Sequence, residues 1–143
     1  MASVRTIGLS SPWLDDREEE LVADGPGENI FVVKDGRITT PPLSTSILPG
    51  ITRDSVIQLA QERGYVIEET DIIRTDLYLA DEVFMTGTAA EVTPVRAIDD
   101  VEVGVGPVTL ELQGAYLDVV NGRSDEWSHW LDVVEARESA ATV

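Results

Sequence analysis

A two-residue turn signal between two apolar segments constrains the fold of this chain more than any other feature. Asp35 and Gly36 separate residues 30–33, which read Ile-Phe-Val-Val, from residues 37–40, which read Arg-Ile-Thr-Thr. Asp-Gly is typical of a type I′ turn, because both central residues of that turn take positive φ angles. The pattern therefore predicts a β-hairpin across residues 30–40.

Helices are predicted on the C-terminal side of this hairpin. A helix of about three turns follows a Pro-Gly loop, with Thr52 as its N-cap and an end near Gly64. Residues 74–80 predict a short helix. Apolar residues at helical spacing predict another over residues 107–120, and Pro107 is its first residue rather than part of a dinucleotide loop, since the third glycine of that motif is missing.

Strands are predicted at residues 66–73, 82–86 and 92–98. We expect the last of these at a sheet edge, because Pro94 has no N–H to donate to a neighbouring strand. A final segment, residues 127–134, carries two tryptophans. Strands and helices mix without a strict βαβ rhythm, which predicts a mixed α/β or α+β fold.

The length of the chain suits a single domain. It has 143 residues, of which 43% are hydrophobic, enough to bury a core. Residues 1–19 show no clean periodicity and include a run of charges, so we expect a poorly ordered lead-in there. The predicted domain spans residues 20–134, and residues 135–143 form a polar tail.

The charge balance excludes one class of partner and indicates an environment. With 27 acidic and 10 basic residues the formal net charge is −17, which is unsuited to binding nucleic acid. Nine of the ten basic residues are arginines and one, Lys34, is a lysine. This composition favours a halophilic host, where salt screens the repulsion between carboxylates, over the alternative of an ordinary acidic mesophilic protein.

The sequence also indicates a compartment and the absence of a metal cluster. No apolar stretch reaches the roughly 20 residues of a membrane span, and no leader pattern opens the chain, so we expect a cytoplasmic protein without a membrane partner. The absence of cysteine is compatible with a reducing cytoplasm. His129 is the single histidine; its neighbours offer no catalytic partner, and we expect it to be structural or exposed.

Three glycine-containing loops could hold a ligand, although each has an ordinary structural explanation. Residues 25–29 place Glu28 at a strand start, where it could pair with a ring nitrogen or be an exposed turn residue. Residues 48–53 present backbone N–H groups at a helix start, which outlines a phosphate site or a simple helix cap. Residues 86–91 form a small-residue turn that could bind an anion or be only a tight turn.

Together these segments resemble the C-terminal half of the class IV (fold type IV) pyridoxal-phosphate aminotransferases, most closely the branched-chain amino acid aminotransferases. The matching stretches are GPGENIFVVKDGRITTPPLSTSILPGITRDSVIQLAQERGY, LYLADEVFMTGTAAEVTPVRAID and GPVTLELQGAYLDVVNGR. The resemblance runs from about Leu21 to Val134 and implies the large C-terminal domain of that fold, an open pseudo-barrel with flanking helices. The Gly-Pro-Gly-Glu-Asn spelling is similar to that of haloarchaeal members.

The resemblance implies pyridoxal 5′-phosphate as the cofactor and amino-group transfer between leucine, isoleucine or valine and 2-oxoglutarate. It implies that Glu28 pairs with the pyridine nitrogen and keeps it protonated. The backbone amides of Ile51 and Thr52, with the Thr88 hydroxyl, would hold the cofactor phosphate. The amides of Thr88 and Ala89 would lie near the substrate carboxylate.

The chain departs from the family in one respect that bears on activity. The family's Schiff-base lysine lies upstream of the Gly-Glu-Asn motif, and residues 1–20 contain no lysine. Lys34 lies beside the hairpin turn and is predicted to be exposed, so no catalytic residue is assigned and the chain is expected to be a truncated, inactive form. The alternatives are a non-catalytic cofactor-binding or assembly domain, or a relative such as D-amino acid aminotransferase or aminodeoxychorismate lyase. A homo-oligomer is left open.

Overall fold

The computed structural model describes residues 2–4 and 21–135, which form a mixed sheet of eight strands. The strands are β1 (Ala2–Val4), β2 (Asp24–Gly25), β3 (Glu28–Lys34), β4 (Arg37–Thr40), β5 (Ile67–Glu69), β6 (Glu82–Gly87), β7 (Glu91–Ile98) and β8 (Val101–Glu102). Their order is β1-β7-β6-β3-β4-β5, with β2 beside β3 and β8 beside β7. The β1–β7 and β4–β5 pairs are parallel and the others are antiparallel.

Three α-helices flank the sheet, at the positions that the sequence predicts. They are α1 (Ile51–Glu62), α2 (Arg74–Leu79) and α3 (Pro107–Val120), and short 3₁₀ turns lie at Leu43–Thr45 and Ser128–Trp130. Pro107 is the first residue of α3, as predicted. The mixed α/β class with flanking helices is therefore confirmed. Within the described parts of the chain, no helix is long and apolar enough to cross a membrane.

The predicted hairpin is formed by β3 and β4. Asp35 and Gly36 take φ angles of 48° and 73°, the positive values that a type I′ turn requires. Lys34 and Arg37 face each other across the first pair of the ladder. This local prediction is confirmed, because the turn depends on two adjacent residues and little else.

The core fills both faces of β3 and β6. On one face Phe31 stacks on Phe84 with ring centroids 4.8 Å apart, and helices α1 and α3 cover them. On the other face Ile30 and Met85 pack with Leu77 of α2. Because successive residues of a strand point to opposite faces, the two central strands are buried almost throughout.

Two sequence predictions about element boundaries are wrong. Thr52 is not the N-cap of α1: Gly50 takes that position with extended backbone angles, its carbonyl accepts from the Asp54 N–H at 3.1 Å, and Thr52 is already helical and buried. The strand expected over residues 66–73 is only three residues long, Ile67–Glu69, because β4 offers it only three partners.

The edge position expected for β7 is also wrong. Residues Glu91 to Pro94 pair with β6, and the second half of β7 lies between β1 and β8. Pro94 is accommodated as the last residue of the ladder with β6, opposite Phe84. A proline that ends a ladder costs no hydrogen bond beyond it, which is how an interior strand tolerates this residue.

The bounds of the predicted domain stay a prediction. Ala2–Val4, within the predicted lead-in, form β1, which the sequence analysis does not predict. The rest of residues 1–19 and most of the predicted tail, residues 136–143, lie outside the described residues.

Candidate functional site

The start of β3 and the end of β6 meet at one end of the sheet. Because the two strands are antiparallel, Asn29 lies opposite Thr86, and the next residues outward are Glu28 and Gly87. A Cβ atom on Gly87 would come within 2.7 Å of the Gly27 carbonyl oxygen and 3.4 Å of Glu28 Cγ. Only glycine permits this approach, so the turn after β6 lies directly against Glu28.

Glu28 is held at this end of the sheet by a tight hairpin. Strands β2 and β3 pair Gly25 with Glu28, and Pro26 and Gly27 form the two-residue turn between them. Gly27 has a φ angle of 83°, which glycine adopts readily. The Glu28 side chain is half-buried, and one carboxylate oxygen lies 3.4 Å from the Cβ position of Gly25. The carboxylate is thus fixed near the surface rather than extended freely into solvent.

The loop before α1 joins the same end of the sheet through Asn29. The Asn29 side-chain amide donates to the Leu48 carbonyl oxygen at 2.9 Å. A Cβ atom on Gly50 would lie 2.3 Å from Asn29 Oδ1, so a larger residue at position 50 would collide with this amide. Glycine is present here for space, since its φ angle of −69° is open to any residue.

The N-terminus of α1 is not capped by a side chain. The first N–H groups of a helix have no partner within the helix, and here no side chain of the described residues accepts from them. Ile51 is 85% exposed, which places the first turn at the surface. Free N–H groups together with the positive end of the helix dipole attract anions.

The N-terminus of α3 is filled by a carboxylate of the chain itself. Glu82, in β6, is buried and accepts from the N–H of Val108 at 3.2 Å and of Thr109 at 2.7 Å. A Cβ atom on Gly106 would collide with this carboxylate at 2.2 Å. The glycine loop before α3 is therefore occupied, and of the two long helices α1 alone has a first turn without such a partner among the described residues.

The turn between β6 and β7 exposes small residues. Thr88 and Ala89 are exposed, and the turn is closed by the Thr93 hydroxyl, which donates to the Ala90 carbonyl at 2.6 Å. Glu91 ends the turn with a positive φ angle of 54°. The Thr88 hydroxyl and the neighbouring backbone are thus accessible beside Gly87 and Glu28.

Lys34 lies at the opposite end of β3 from Glu28. The two residues are the first and last of this strand, about 20 Å apart at the usual rise per residue. The Lys34 ammonium pairs with Asp81 at 3.1 Å, and Asp81 also accepts from the Asp35 N–H at 2.8 Å. That backbone hydrogen bond, and then Lys34, lower the pKa of the Asp81 carboxyl. Lys34 is an exposed hairpin residue, as predicted.

His129 is exposed, as predicted. Its ring lies 5.7 Å from the Trp127 ring, and its Nδ1 is 3.2 Å from the Glu126 carbonyl oxygen. Within the part of the chain that the structure describes, no group of three or more histidine and carboxylate side chains is arranged to hold a metal ion.

The structure brings the three predicted loops to one end of the sheet. Glu28 contacts the turn that carries Thr88 and Ala89, and the helix start formed by Ile51 and Thr52 is joined to β3 through Asn29. The individual roles of Glu28, Ile51, Thr52, Thr88 and Ala89 stay predictions.

Sequence reasoning missed two residues that build this region. Asp24 accepts from the Leu48 N–H at 2.9 Å, and Asn29 donates to the Leu48 carbonyl at the same distance. A Pro-Gly turn flanked by Asp24-Gly25 and Glu28-Asn29 is itself a hairpin signal, which would have placed these two side chains opposite each other.

Comparison with known proteins is consistent with this arrangement. Residues 13–98 match the sequence profile of the family described as Amino-transferase class IV. The branched-chain-amino-acid aminotransferase of Escherichia coli K12 is 51% identical over 116 residues, and that of Salmonella typhimurium is 50% identical over 118 residues. The alignments cover 79% and 80% of this chain but only 38% of either relative.

A solved structure gives the same result for the fold. The branched-chain amino acid aminotransferase from the source abbreviated T.th., with pyridoxamine 5′-phosphate, superimposes with a TM-score of 0.78 at 51% identity, over 80% of this chain and 39% of that one. The same enzyme has been solved with N-(5′-phosphopyridoxyl)-L-glutamate. The chain thus spans about two fifths of the length of these relatives. Because the family profile covers more than half of its residues, the chain belongs to the class IV aminotransferases.

Proposed function

We propose that this chain forms the part of a branched-chain amino acid aminotransferase that holds the phosphate and the ring nitrogen of pyridoxal 5′-phosphate. The observation that carries the proposal is the uncapped first turn of α1, joined by Asn29 to the strand that carries Glu28. The identity of about 50% to branched-chain aminotransferases supports the choice of activity within the family.

The described residues fit such a cofactor. A phosphate dianion needs several N–H or O–H donors and a favourable potential, and the first turn of α1 supplies both. A pyridine nitrogen that is to stay protonated needs a nearby carboxylate, which Glu28 supplies at the same end of the sheet. When bound, the cofactor supplies an electron sink for negative charge developing on the substrate carbon.

Each proposed residue then has a defined task. The N–H groups of Ile51 and Thr52 and the Thr88 hydroxyl donate hydrogen bonds to phosphate oxygens. The Glu28 carboxylate accepts from the ring N–H and stabilises its positive charge. The N–H groups of Thr88 and Ala89, in the exposed turn beside Glu28, bind the carboxylate of the amino acid.

The proposed substrates are branched-chain amino acids and the corresponding 2-oxo acids, in a cytoplasmic enzyme. This assignment comes from the relatives: the enzymes from Escherichia coli, Salmonella typhimurium and T.th. are named as branched-chain amino acid aminotransferases. The glutamate adduct of the T.th. enzyme supports 2-oxoglutarate as the amino-group acceptor.

The present chain holds the cofactor without moving the substrate proton. A class IV transaminase needs a lysine amine as its proton carrier, and the one lysine of this sequence is paired with Asp81 about 20 Å along the strand from Glu28. This placement favours the alternative in which the chain by itself is a cofactor-binding domain that depends on other residues for turnover.

Calorimetric titration with pyridoxamine 5′-phosphate tests the proposal. This ligand carries the ring and the phosphate but no aldehyde, so it does not react with amines. Thr88→Val should weaken its binding by about tenfold, the value of one hydrogen bond to a charged group. Ser124→Ala, which removes a hydroxyl from the segment after α3, should leave the affinity unchanged. Equal affinities of the two variants would contradict the placement of the phosphate.

A further inference from the structure

Both backbone polar groups of Leu48 are held by side chains of one hairpin. The Leu48 N–H donates to Asp24 Oδ2 at 2.9 Å, and the Leu48 carbonyl accepts from Asn29 Nδ2 at 2.9 Å. Asp24 and Asn29 lie directly opposite each other in the β2–β3 ladder. We call these two side chains and the Leu48 backbone the Leu48 clamp.

The geometry of the hairpin explains why two side chains can hold one residue. Residues opposite each other in an antiparallel pair point to the same face, with Cβ atoms about 5 Å apart. One acceptor and one donor thus lie side by side, at the separation of an amide N–H and C=O within one residue. The Pro26-Gly27 turn fixes the register that places Asp24 and Asn29 opposite each other.

The Leu48 clamp joins the two halves of the proposed site. On one side, Asn29 is adjacent in sequence to Glu28, and the same hairpin sets the position of the Glu28 carboxylate. On the other side, Leu48 precedes Pro49 and Gly50, the residues that lead into the first turn of α1. Asn29 Oδ1 also occupies the space above Gly50. The clamp is thus a short connection between Glu28 and the free N–H groups at the start of α1.

We propose that Asp24 and Asn29 are positioning residues that set the separation between Glu28 and the first turn of α1. This inference rests on the function proposed above. A ligand with a ring nitrogen at one end and a phosphate at the other gains from both contacts only if the protein holds their partners at the matching separation. Neither Asp24 nor Asn29 needs to touch the ligand.

The clamp is separable from the stability of the fold. Helix α1 is held on the sheet by Val56 and Ala60, which are buried against Phe31 and Phe84. Asp24 is exposed and contributes only one hydrogen bond to the loop. Loss of the Asp24 carboxylate should therefore leave the domain folded and release only the loop before α1.

The test compares one two-ended ligand with one single-ended ligand on the full chain. We expect Asp24→Ala to weaken pyridoxamine 5′-phosphate by about tenfold or more while changing inorganic phosphate by less than about twofold, because only the first needs the fixed separation. Asp24→Asn keeps an acceptor oxygen and should restore most of the affinity. Asp81→Ala is the matched control: Asp81 is also exposed and also accepts one loop N–H, but at the far end of β3.

Hydrogen exchange of the Leu48 amide supplies a second readout that needs no ligand. Exchange at Leu48 should accelerate in Asp24→Ala and stay slow in Asp81→Ala, whereas unchanged exchange would show that the Leu48 clamp is not formed. If the unaltered chain binds pyridoxamine 5′-phosphate and Asp24→Ala binds it equally well, the positioning role is wrong and the proposed function stands. If the unaltered chain does not bind it, the proposed function is wrong and the clamp has no such role.

Discussion

Glu82 and Thr109 form a hydrogen bond across 27 residues of sequence, with the Thr109 N–H donating to Glu82 Oε2 at 2.7 Å. The same carboxylate accepts from Val108, so it fills the first turn of α3. Helix α1 also follows a glycine loop, yet no described side chain fills its first turn. This difference distinguishes a structural helix start from one that is available to a ligand.

Glu82→Gln should destabilise the domain. The amide keeps one acceptor but loses the charge that interacts with the helix dipole and leaves one buried N–H poorly satisfied, at a cost of about 1–3 kcal/mol. Glu102→Gln, at an exposed position in β8, should change the free energy of unfolding by less than about 0.5 kcal/mol. Urea denaturation measures both, and equal midpoints for the two variants would show that the Glu82 carboxylate does not stabilise α3.

Gly50→Ala should reduce both stability and ligand binding. The added methyl group would lie 2.3 Å from Asn29 Oδ1, so Asn29 or the first turn of α1 must shift, and we expect a loss of about 1–3 kcal/mol. Gly114→Ala, in α3, meets no atom within 4 Å and should stabilise the domain by up to about 1 kcal/mol. Thermal unfolding of both variants, with and without pyridoxamine 5′-phosphate, checks this; a neutral Gly50→Ala would contradict the close packing.

The sequence predicts what adjacent residues determine. Asp35 and Gly36 specify their turn without help, and apolar spacing locates all three helices. The prediction of Thr52 as the N-cap fails because threonine is favoured there by composition, whereas the chain uses Gly50 to make room for Asn29. That choice depends on a tertiary contact, which local patterns do not contain.

The candidate site is predictable only in part for the same reason. Glycines mark the three loops as potential anion sites, but nothing local separates the loop before α1 from the loop before α3. The distinction depends on Glu82, which is distant in sequence and becomes a neighbour of Gly106 only when β6 and α3 pack together. Likewise Asp24 and Asn29 meet Leu48 only in the folded domain.

The chain alone should not transaminate. After incubation with pyridoxal phosphate and reduction with borohydride, peptide mapping should show no stoichiometric adduct at Lys34, because that amine is exposed and paired with Asp81 far from Glu28. Leucine and 2-oxoglutarate should turn over no faster than with free cofactor. Turnover above that background would show that this chain contains a complete catalytic site.

Salt should stabilise the domain. With 27 acidic and 10 basic residues, repulsion between carboxylates acts over about 10 Å at 0.1 M salt and only about 3 Å at 1 M. The melting temperature should therefore rise steeply between low and molar potassium chloride. A flat profile across this range would remove the halophilic interpretation of the composition.

The central claim is that the first turn of α1, and not that of α3, is the anion site of this domain. Titration of the ¹⁵N-labelled chain with inorganic phosphate, followed by backbone amide shifts, tests it most directly. We predict saturable shifts at Ile51, Thr52 and Thr88, and none at Val108 and Thr109, whose N–H groups already donate to Glu82. Shifts at Val108 and Thr109 without shifts at Ile51 and Thr52 would contradict the account.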